Sequence, residues 1–355
     1  MASRRIRSAL TVRAAVCCTS VLVLSLSACT SDSAKKNAPI GIPTPKLGKV
    51  VPFNLTTEHH ATQAAGDPLF GEITAGRSGD FYMSAETTRV NGIVRVSSDG
   101  KATSLPAPGP ADDSPQISGM TTTPDGDLLV GKKRNIYRLT PSGKTKAVIK
   151  TNIADPGPMG VRPDGAIVIE SEGSLWSIAH GKTSLLYKGS VSDEENLATL
   201  RGKLRGALDT SGTVYAAVGR YLPDIVVIPQ GKKPHRWGLR GNVPGTSVPL
   251  STLTPLTLAQ AHDGGVYILA ATGFPTSHHS TGYVLYVKDD TVKLATKAPF
   301  TGKSNSCSPG KEYSVDHVPC ILPWYVVESG NRLLLLGNHK ADSRVVPLAL
   351  RAVTK

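Results

Sequence analysis

The chain has 355 residues, 39% hydrophobic and 5% aromatic, enough for one large all-β domain or two smaller domains. Its formal net charge is +13, but four arginines lie in the first 28 residues, which contain no acidic residue, so the remainder carries +9. These charges are scattered among acidic residues, and Lys132–Arg134 is the only compact basic cluster. Because no nucleic-acid-binding motif accompanies them, the pattern predicts a solvated surface and argues against a nucleic-acid-binding protein.

Residues 1–28 have the organisation of an export signal. A basic stretch precedes an apolar segment that is too short and too interrupted to be a membrane span. The segment ends in Leu-Ser-Ala-Cys at residues 26–29, which resembles the lipobox of bacterial lipoproteins. This resemblance implies that Cys29 receives a diacylglycerol and becomes the first residue after cleavage. Ordinary signal cleavage beside a chance cysteine is the alternative.

The segment that follows Cys29 predicts a membrane-anchored extracytoplasmic protein. Residues 29–45 are rich in Ser, Lys, Pro and Ala, which is typical of a flexible tether, so the lipidated tether precedes a folded domain at 46–355. After Cys29, the cysteines that remain are Cys307 and Cys320. We expect these two to form a disulfide in an oxidising compartment, and a zinc site is disfavoured because neither has a CxxC partner.

A turn followed by an apolar strand recurs from about residue 69. Its glycines stand at positions 79, 126, 165, 212, 264 and 330, at intervals of 47, 39, 47, 52 and 66 residues. Most repeats continue with a short strand, a second glycine turn and another strand, with alternating apolar and polar residues. Periods of this length with four strands each are typical of propeller blades, so the sequence predicts an all-β, six-bladed β-propeller. The repeats resemble those of NHL-type propellers and of the wider superfamily that includes the calcium-dependent lactonases.

The sixth repeat lacks one strand, and an apolar segment at residues 49–55 is not used by any repeat. We expect this N-terminal strand to pair with residues 344–350 and to close the ring as the outer strand of the sixth blade. Pro52 is compatible with that position, because proline is tolerated on an edge strand.

The order of strands in a blade places its loops on two faces. The first-to-second and third-to-fourth turns are all tight, whereas the other face receives the second-to-third loops and the connections between blades, which are long and varied. Long loops on a rigid scaffold usually carry binding residues, so this face is the predicted binding face. The candidate ligand-binding residues are Phe274, His278, His279, Tyr221, Arg220, Tyr313 and His317. The histidine spacing imposes no ligand geometry, so no metal site is predicted from them.

The resemblance to calcium-dependent lactonases provides the alternative function. In that family a glutamate on the innermost strand of the first blade helps to hold calcium in the central channel, and Glu72 stands near that position. The asparagines expected before the Pro-Asp-Gly turns are replaced by Ser118-Gly119 and Met159-Gly160, and one carboxylate does not make a calcium site. The sequence therefore favours a monomeric, cofactor-free binding protein for a protein or cell-envelope ligand, and a calcium-dependent hydrolase is the alternative.

Overall fold

The computed structural model describes the chain in segments. These are residues 47–52, 69–86, 91–99, 101–110, 117–189, 205–219, 221–272, 281–299, 313–314, 321–330, 332–339 and 345–352. They form β-strands joined by turns and loops, with two short 3-10 turns and no α-helix in these ranges.

Five sheets contain four strands each, in chain order, and neighbouring strands are antiparallel. After β1 (Leu47–Pro52), blade 1 contains β2 (Leu69–Ala75), β3 (Phe81–Glu86), β4 (Asn91–Val96) and β5 (Ala102–Pro106). Blade 2 contains β6 (Gly119–Thr122), β7 (Leu128–Lys132), β8 (Asn135–Leu139) and β9 (Thr145–Lys150). Blade 3 contains β10 (Gly157–Val161), β11 (Ile167–Ser171), β12 (Ser174–Ala179) and β13 (Lys182–Tyr187).

The next two blades have the same plan. Blade 4 contains β14 (Arg205–Leu208), β15 (Val214–Ala217), β16 (Ile225–Ile228) and β17 (His235–Arg236). Blade 5 contains β18 (Leu253–Gln260), β19 (Val266–Thr272), β20 (Thr281–Lys288) and β21 (Thr291–Pro299). The remaining strands are β22 (Tyr313–Ser314), β23 (Ile321–Ser329), β24 (Arg332–His339) and β25 (Val345–Ala352).

The sixth sheet joins the two ends of the chain and has the order β22-β1-β25-β24-β23. The predicted closure is confirmed, because Val50 pairs with Leu350 and Pro52 with Leu348 in antiparallel register. The prediction that this strand forms the outer edge is wrong, since β22 pairs with its other side, Val50 opposite Tyr313. The structure thus contains five regular four-stranded blades and one five-stranded sheet, where the sequence predicted six regular blades.

The innermost strands of the six sheets contact one another in cyclic order. β2 contacts β6, β6 contacts β10, and the series continues through β14, β18 and β23 back to β2. Apolar clusters fill the spaces between neighbouring sheets, because both faces of a middle strand are covered. On β3, for example, Phe81 and Met83 pack with Leu334 of the sixth sheet, whereas Tyr82 lies in the cluster shared with blade 2. The alternating strand pattern therefore becomes a ring of intersheet cores.

The repeated turn has a simple physical basis. In blade 2 the Thr123 amide donates to the Asp127 carbonyl at 2.8 Å, and the Gly126 amide donates to the Thr123 carbonyl at 2.8 Å. This geometry places Gly126 at a φ of 87°, which glycine adopts without steric cost. Turns between the first and second strands and between the third and fourth strands lie on one face of the ring, which we call the tight-turn face. The opposite face, which receives the connections between blades, is the long-loop face.

The register of the sixth sheet also shows on which face β1 begins. Leu47 pairs with Ala352, and this end of β25 lies beside the turn that joins β23 to β24. The chain therefore enters β1 at the tight-turn face.

Candidate functional site: the long-loop face

Not all the loops of the long-loop face are long, as the sequence predicted them to be. In blades 2 and 3 the second-to-third connections are two-residue turns, at Lys133–Arg134 and Glu172–Gly173. Glu172 and Gly173 both have positive φ, 49° and 73°, which matches the right-handed twist of the flanking strands. The long segments of this face are therefore mainly the connections between blades.

The connection between blades 1 and 2 is held by a buried lysine. Lys132, at the end of β7, is 5% exposed, so it does not belong to a solvated basic cluster. Its Nζ donates to the carbonyl oxygens of Pro110 at 3.2 Å and Pro108 at 3.4 Å. A buried ammonium group requires such acceptors, and here they fix a proline-rich segment against the blade. Sequence reasoning missed this role, because it becomes visible only once β7 is known to be buried on both faces.

Two buried serines fix the connection between blades 2 and 3. The Ser118 hydroxyl donates to the Pro156 carbonyl at 2.8 Å, and the Ser171 hydroxyl donates to the Ala154 carbonyl at 2.5 Å. Gly131 allows the close approach, because a Cβ atom there would lie 1.6 Å from the Pro156 oxygen. The connection at residues 151–156 is therefore pinned on both sides, and it presents a fixed backbone to the long-loop face.

Blade 4 presents an exposed aromatic residue on this face. Tyr221, in the loop between β15 and β16, is 39% exposed, and Arg236 binds Asp224 of the same loop at 2.8 Å. Trp237, which follows β17 in the same blade, is only 5% exposed, and its Nε1 donates to the Asp290 carboxylate at 2.8 Å. Its ring packs against Tyr215, with centroids 4.7 Å apart, so Trp237 stabilises the blade and is unsuited to contact a ligand.

Most of the predicted binding residues lie outside the described residues. They are Phe274, His278, His279, Arg220 and His317, together with Cys29, Cys307 and Cys320. Tyr313 is placed by its backbone in β22, and no contact of its side chain is described. Of the candidate set, Tyr221 is the residue whose side chain is located on the long-loop face.

The calcium alternative depends on Glu72, which lies on the innermost strand β2, as the sequence predicted, although its side chain is outside the described set. Within the described residues, no group of three or more His, Cys, Asp or Glu side chains could hold a metal ion. Glu328 lies near the tight-turn end of β23, where its carboxylate accepts the His262 Nδ1 at 3.0 Å and the His262 amide at 3.1 Å. No helix in the described part of the chain is long and apolar enough to cross a membrane.

The tight-turn face is organised by ion pairs within blades. Asp127 is 2% exposed and binds Arg138 at 2.7 Å and Lys146 at 2.6 Å. Burial alone would raise the pKa of Asp127, but hydrogen bonds from Lys146 and Arg138 outweigh burial and hold that pKa below its usual value. A matching pair joins Asp80 to Arg95 in blade 1.

Arginines on the same face connect neighbouring sheets. Arg77 donates to the Asp125 carbonyl of blade 2 at 3.3 Å, and Arg162 donates to the Gly212 carbonyl of blade 4 at 3.1 Å. Arg332 donates to the carbonyls of Ser98 and Gly79, both at 2.7 Å, and so links the sixth sheet to blade 1. These contacts use the guanidinium groups of the three arginines to hold neighbouring sheets together.

The geometry of the ring and its two faces defines a β-propeller protein, and solved structures of similar fold support this class. A protein of unknown function from Bacteroides thetaiotaomicron is 10% identical, with 85% of this chain and 76% of that chain covered and a TM-score of 0.57. An auxiliary nutrient binding protein from Bacteroides ovatus is 13% identical, with 86% and 77% covered and a TM-score of 0.51. Virginiamycin B lyase from Staphylococcus aureus is 13% identical, with 79% of this chain and 80% of that chain covered and a TM-score of 0.44.

No protein-family model matches the chain, and no curated protein matches it. At 10–13% identity, the likeness to the two Bacteroides proteins establishes the fold alone.

Proposed function

We propose that the protein is a lipid-anchored extracytoplasmic receptor-like binder, attached to the membrane through Cys29, which recognises a protein or cell-envelope polymer with its long-loop face. The observation that carries the proposal is the fixation of two interblade connections on this face. The buried polar side chains of Lys132, Ser118 and Ser171 donate to backbone carbonyls of these connections. These bonds fix the conformation of the connecting segments. Loops held in one conformation lose little entropy on binding, which favours recognition.

The sixth sheet is, in this proposal, the sixth blade of the ring, and β22 is an addition to its outer edge. The Bacteroides ovatus neighbour is named as a nutrient binding protein, which is compatible with a binding role for this propeller. The pair Cys307 and Cys320 is proposed to form a disulfide in the same compartment.

The anchor is tested by mass spectrometry of the N-terminal peptide from membranes of the producing bacterium. We expect a diacylglycerol on Cys29 and recovery of the protein with the membrane fraction, both lost in Cys29→Ala. Recovery of an unmodified peptide that begins after Ala28 would refute the anchor.

The binding face is tested by site-specific photo-cross-linking in intact cells. A photoreactive amino acid at Tyr221, on the long-loop face, should give a discrete cross-linked product. The same amino acid at exposed His180, in a tight turn of blade 3, is the matched control. Equal products from both positions, or products from His180 alone, would contradict the assignment of the binding face.

The calcium-dependent alternative predicts a different result. Calcium would raise the melting temperature of the protein, and this rise would disappear in Glu72→Gln. A calcium response with that dependence would replace the binding proposal with a hydrolase.

A further inference from the structure

The tight-turn face carries a repeated positive charge that the binding proposal does not use. In blades 1 to 4 a lysine follows the glycine of each turn between the third and fourth strands. These residues are Lys101, Lys144, Lys182 and Lys232, the last followed by Lys233. All five are exposed, and none takes part in an ion pair within the described residues. They form an arc along the rim of the face, which ends at Asp289 and Asp290 in blade 5.

Acidic side chains also lie on this face, mostly in the turns between first and second strands, which are nearer the axis of the ring than the lysine arc. Four of them are bonded to groups of their own sheet or the next: Asp80 to Arg95, Asp127 to Lys146 and Arg138, Asp263 to Tyr286, and Glu328 to His262. Asp99 is nearest to the arc in sequence, and it accepts the Lys101 backbone amide at 3.3 Å. Asp125 and Asp164 are exposed in the inner turns, and Asp289 and Asp290 are exposed on the rim of blade 5. The excess of positive charge available to an external anion is therefore confined to the rim of blades 1 to 4, where Asp99 accompanies the five lysines.

The point at which the tether joins the domain suggests the membrane surface as the partner of these lysines. β1 begins at Leu47 on the tight-turn face, so the chain from Cys29 joins the domain on the side of the lysine arc. Seventeen residues, 30–46, separate the two points. The sequence predicts a flexible tether at residues 29–45, and a tether of that length would span about 20–25 Å on average, short enough to keep the domain near the surface that holds the proposed lipid.

We propose that the tight-turn face docks on the anionic headgroups of the bilayer, so that the long-loop face points away from the membrane. The inference rests on the proposed lipid anchor, and it adds an orientation to it. Basic residues near an anionic leaflet are attracted over roughly one Debye length, about 8–10 Å, and the tether keeps the domain within reach of that range. The bound partner is then an anionic lipid surface, and the ligand site is displayed toward the surroundings.

The ends of two outer strands provide a matched internal control. Lys144 precedes β9 and Lys182 begins β13 on the tight-turn face. Lys150 ends β9 and Lys188 follows β13 on the long-loop face, and both are exposed. Each pair differs in face but belongs to one strand of one blade, so differences in labelling report orientation.

The experiment uses the full lipidated protein reconstituted into vesicles of phosphatidylcholine with or without phosphatidylglycerol. Lysine acetylation rates are measured by mass spectrometry. We expect acetylation of Lys144 and Lys182 to slow at least about threefold relative to Lys150 and Lys188 on anionic vesicles, with the difference lost at raised salt. The variant with Lys101, Lys144, Lys182 and Lys232 each changed to Gln should lose protection of the adjacent tight turns from amide exchange.

The outcomes separate the two proposals. A protein that does not co-sediment with either vesicle has no functional lipid anchor, and this refutes the proposed attachment. A protein that co-sediments but shows equal labelling of both faces, or slower labelling of Lys150 and Lys188, is anchored but does not dock as we propose. Protection of equal size on neutral vesicles would overturn the role of the lysine charge.

Discussion

Gly131 provides a sharp test of the backbone contact that fixes the long-loop face. In Gly131→Ala the new Cβ atom would lie 1.6 Å from the Pro156 oxygen and 2.6 Å from the Ser118 hydroxyl. Real Cβ contacts are essentially never shorter than 3.0 Å, so the Pro156 carbonyl must move by about 1.4 Å (3.0 − 1.6). The obstacle is largely backbone, and a side-chain rotation cannot remove it.

The expected cost has two components. Overpacking of a close-packed contact costs about 1–3 kcal/mol. The displacement also breaks the bond from the Ser118 hydroxyl to Pro156 and strains the bond from the Ser118 amide to Gly131, 2.8 and 2.9 Å long, at about 1 kcal/mol each. We therefore expect a loss of roughly 3–5 kcal/mol of unfolding free energy.

Urea unfolding followed by tryptophan fluorescence measures this loss. Gly238→Ala is the matched control, because Gly238 is exposed, has no positive φ, and a methyl group at its Cα would have no heavy atom within 4 Å. It should change stability by less than about 0.5 kcal/mol. If Gly131→Ala proves as stable as Gly238→Ala, then Pro156 does not press on Gly131, and the argument for pinned connections fails.

Three further predictions concern the charged contacts and the closure. Asp127→Asn should lower the unfolding free energy by about 1–2 kcal/mol at neutral pH. The loss is moderate because its partners Arg138 and Lys146 are partly exposed to solvent. Because the pKa of Asp127 is lowered in the folded protein, the stability difference between wild type and variant should shrink as the pH falls below about 4. Urea unfolding at a series of pH values measures this difference, and a difference that does not change with pH would refute the pairing. Lys132→Met should speed amide exchange at Gly109 by at least about tenfold, whereas Lys133→Met should not. Removal of residues 1–52 deletes five residue pairs with β25 and should lower the unfolding free energy by roughly 3–6 kcal/mol. An unchanged urea unfolding midpoint would show that β1 does not close the ring.

Local sequence signals predicted the blades because each blade is built from local contacts. The glycine turns and the alternating strands determine hairpins within a few tens of residues, and the structure confirms them. The closing strand was also predictable, since an unused apolar segment and an incomplete last repeat complement each other. Its neighbour β22 was not, because a two-residue strand such as Tyr313–Ser314 leaves no pattern in the sequence.

The candidate site was predictable only in outline. The face could be inferred from loop lengths, but the role of each side chain depends on what packs beside it. Lys132 belongs to a predicted solvated cluster but is buried against residues 108–110, and the burial of Trp237 depends on Asp290 of the next blade. Tyr221 lies exposed on the expected face, because the position of its loop follows from the strand order, and its role in binding stays a prediction.

The position of β1 between two other strands has a mechanical consequence. Hydrogen bonds of an antiparallel ladder lie perpendicular to the strands, and β1 makes such ladders with β25 and β22. A pull on the chain ahead of Leu47 runs along the strand, so it loads the ladder bonds together in shear and does not peel them apart one by one. The five-stranded sheet thus makes the place where the chain joins the ring the part best arranged to withstand tension.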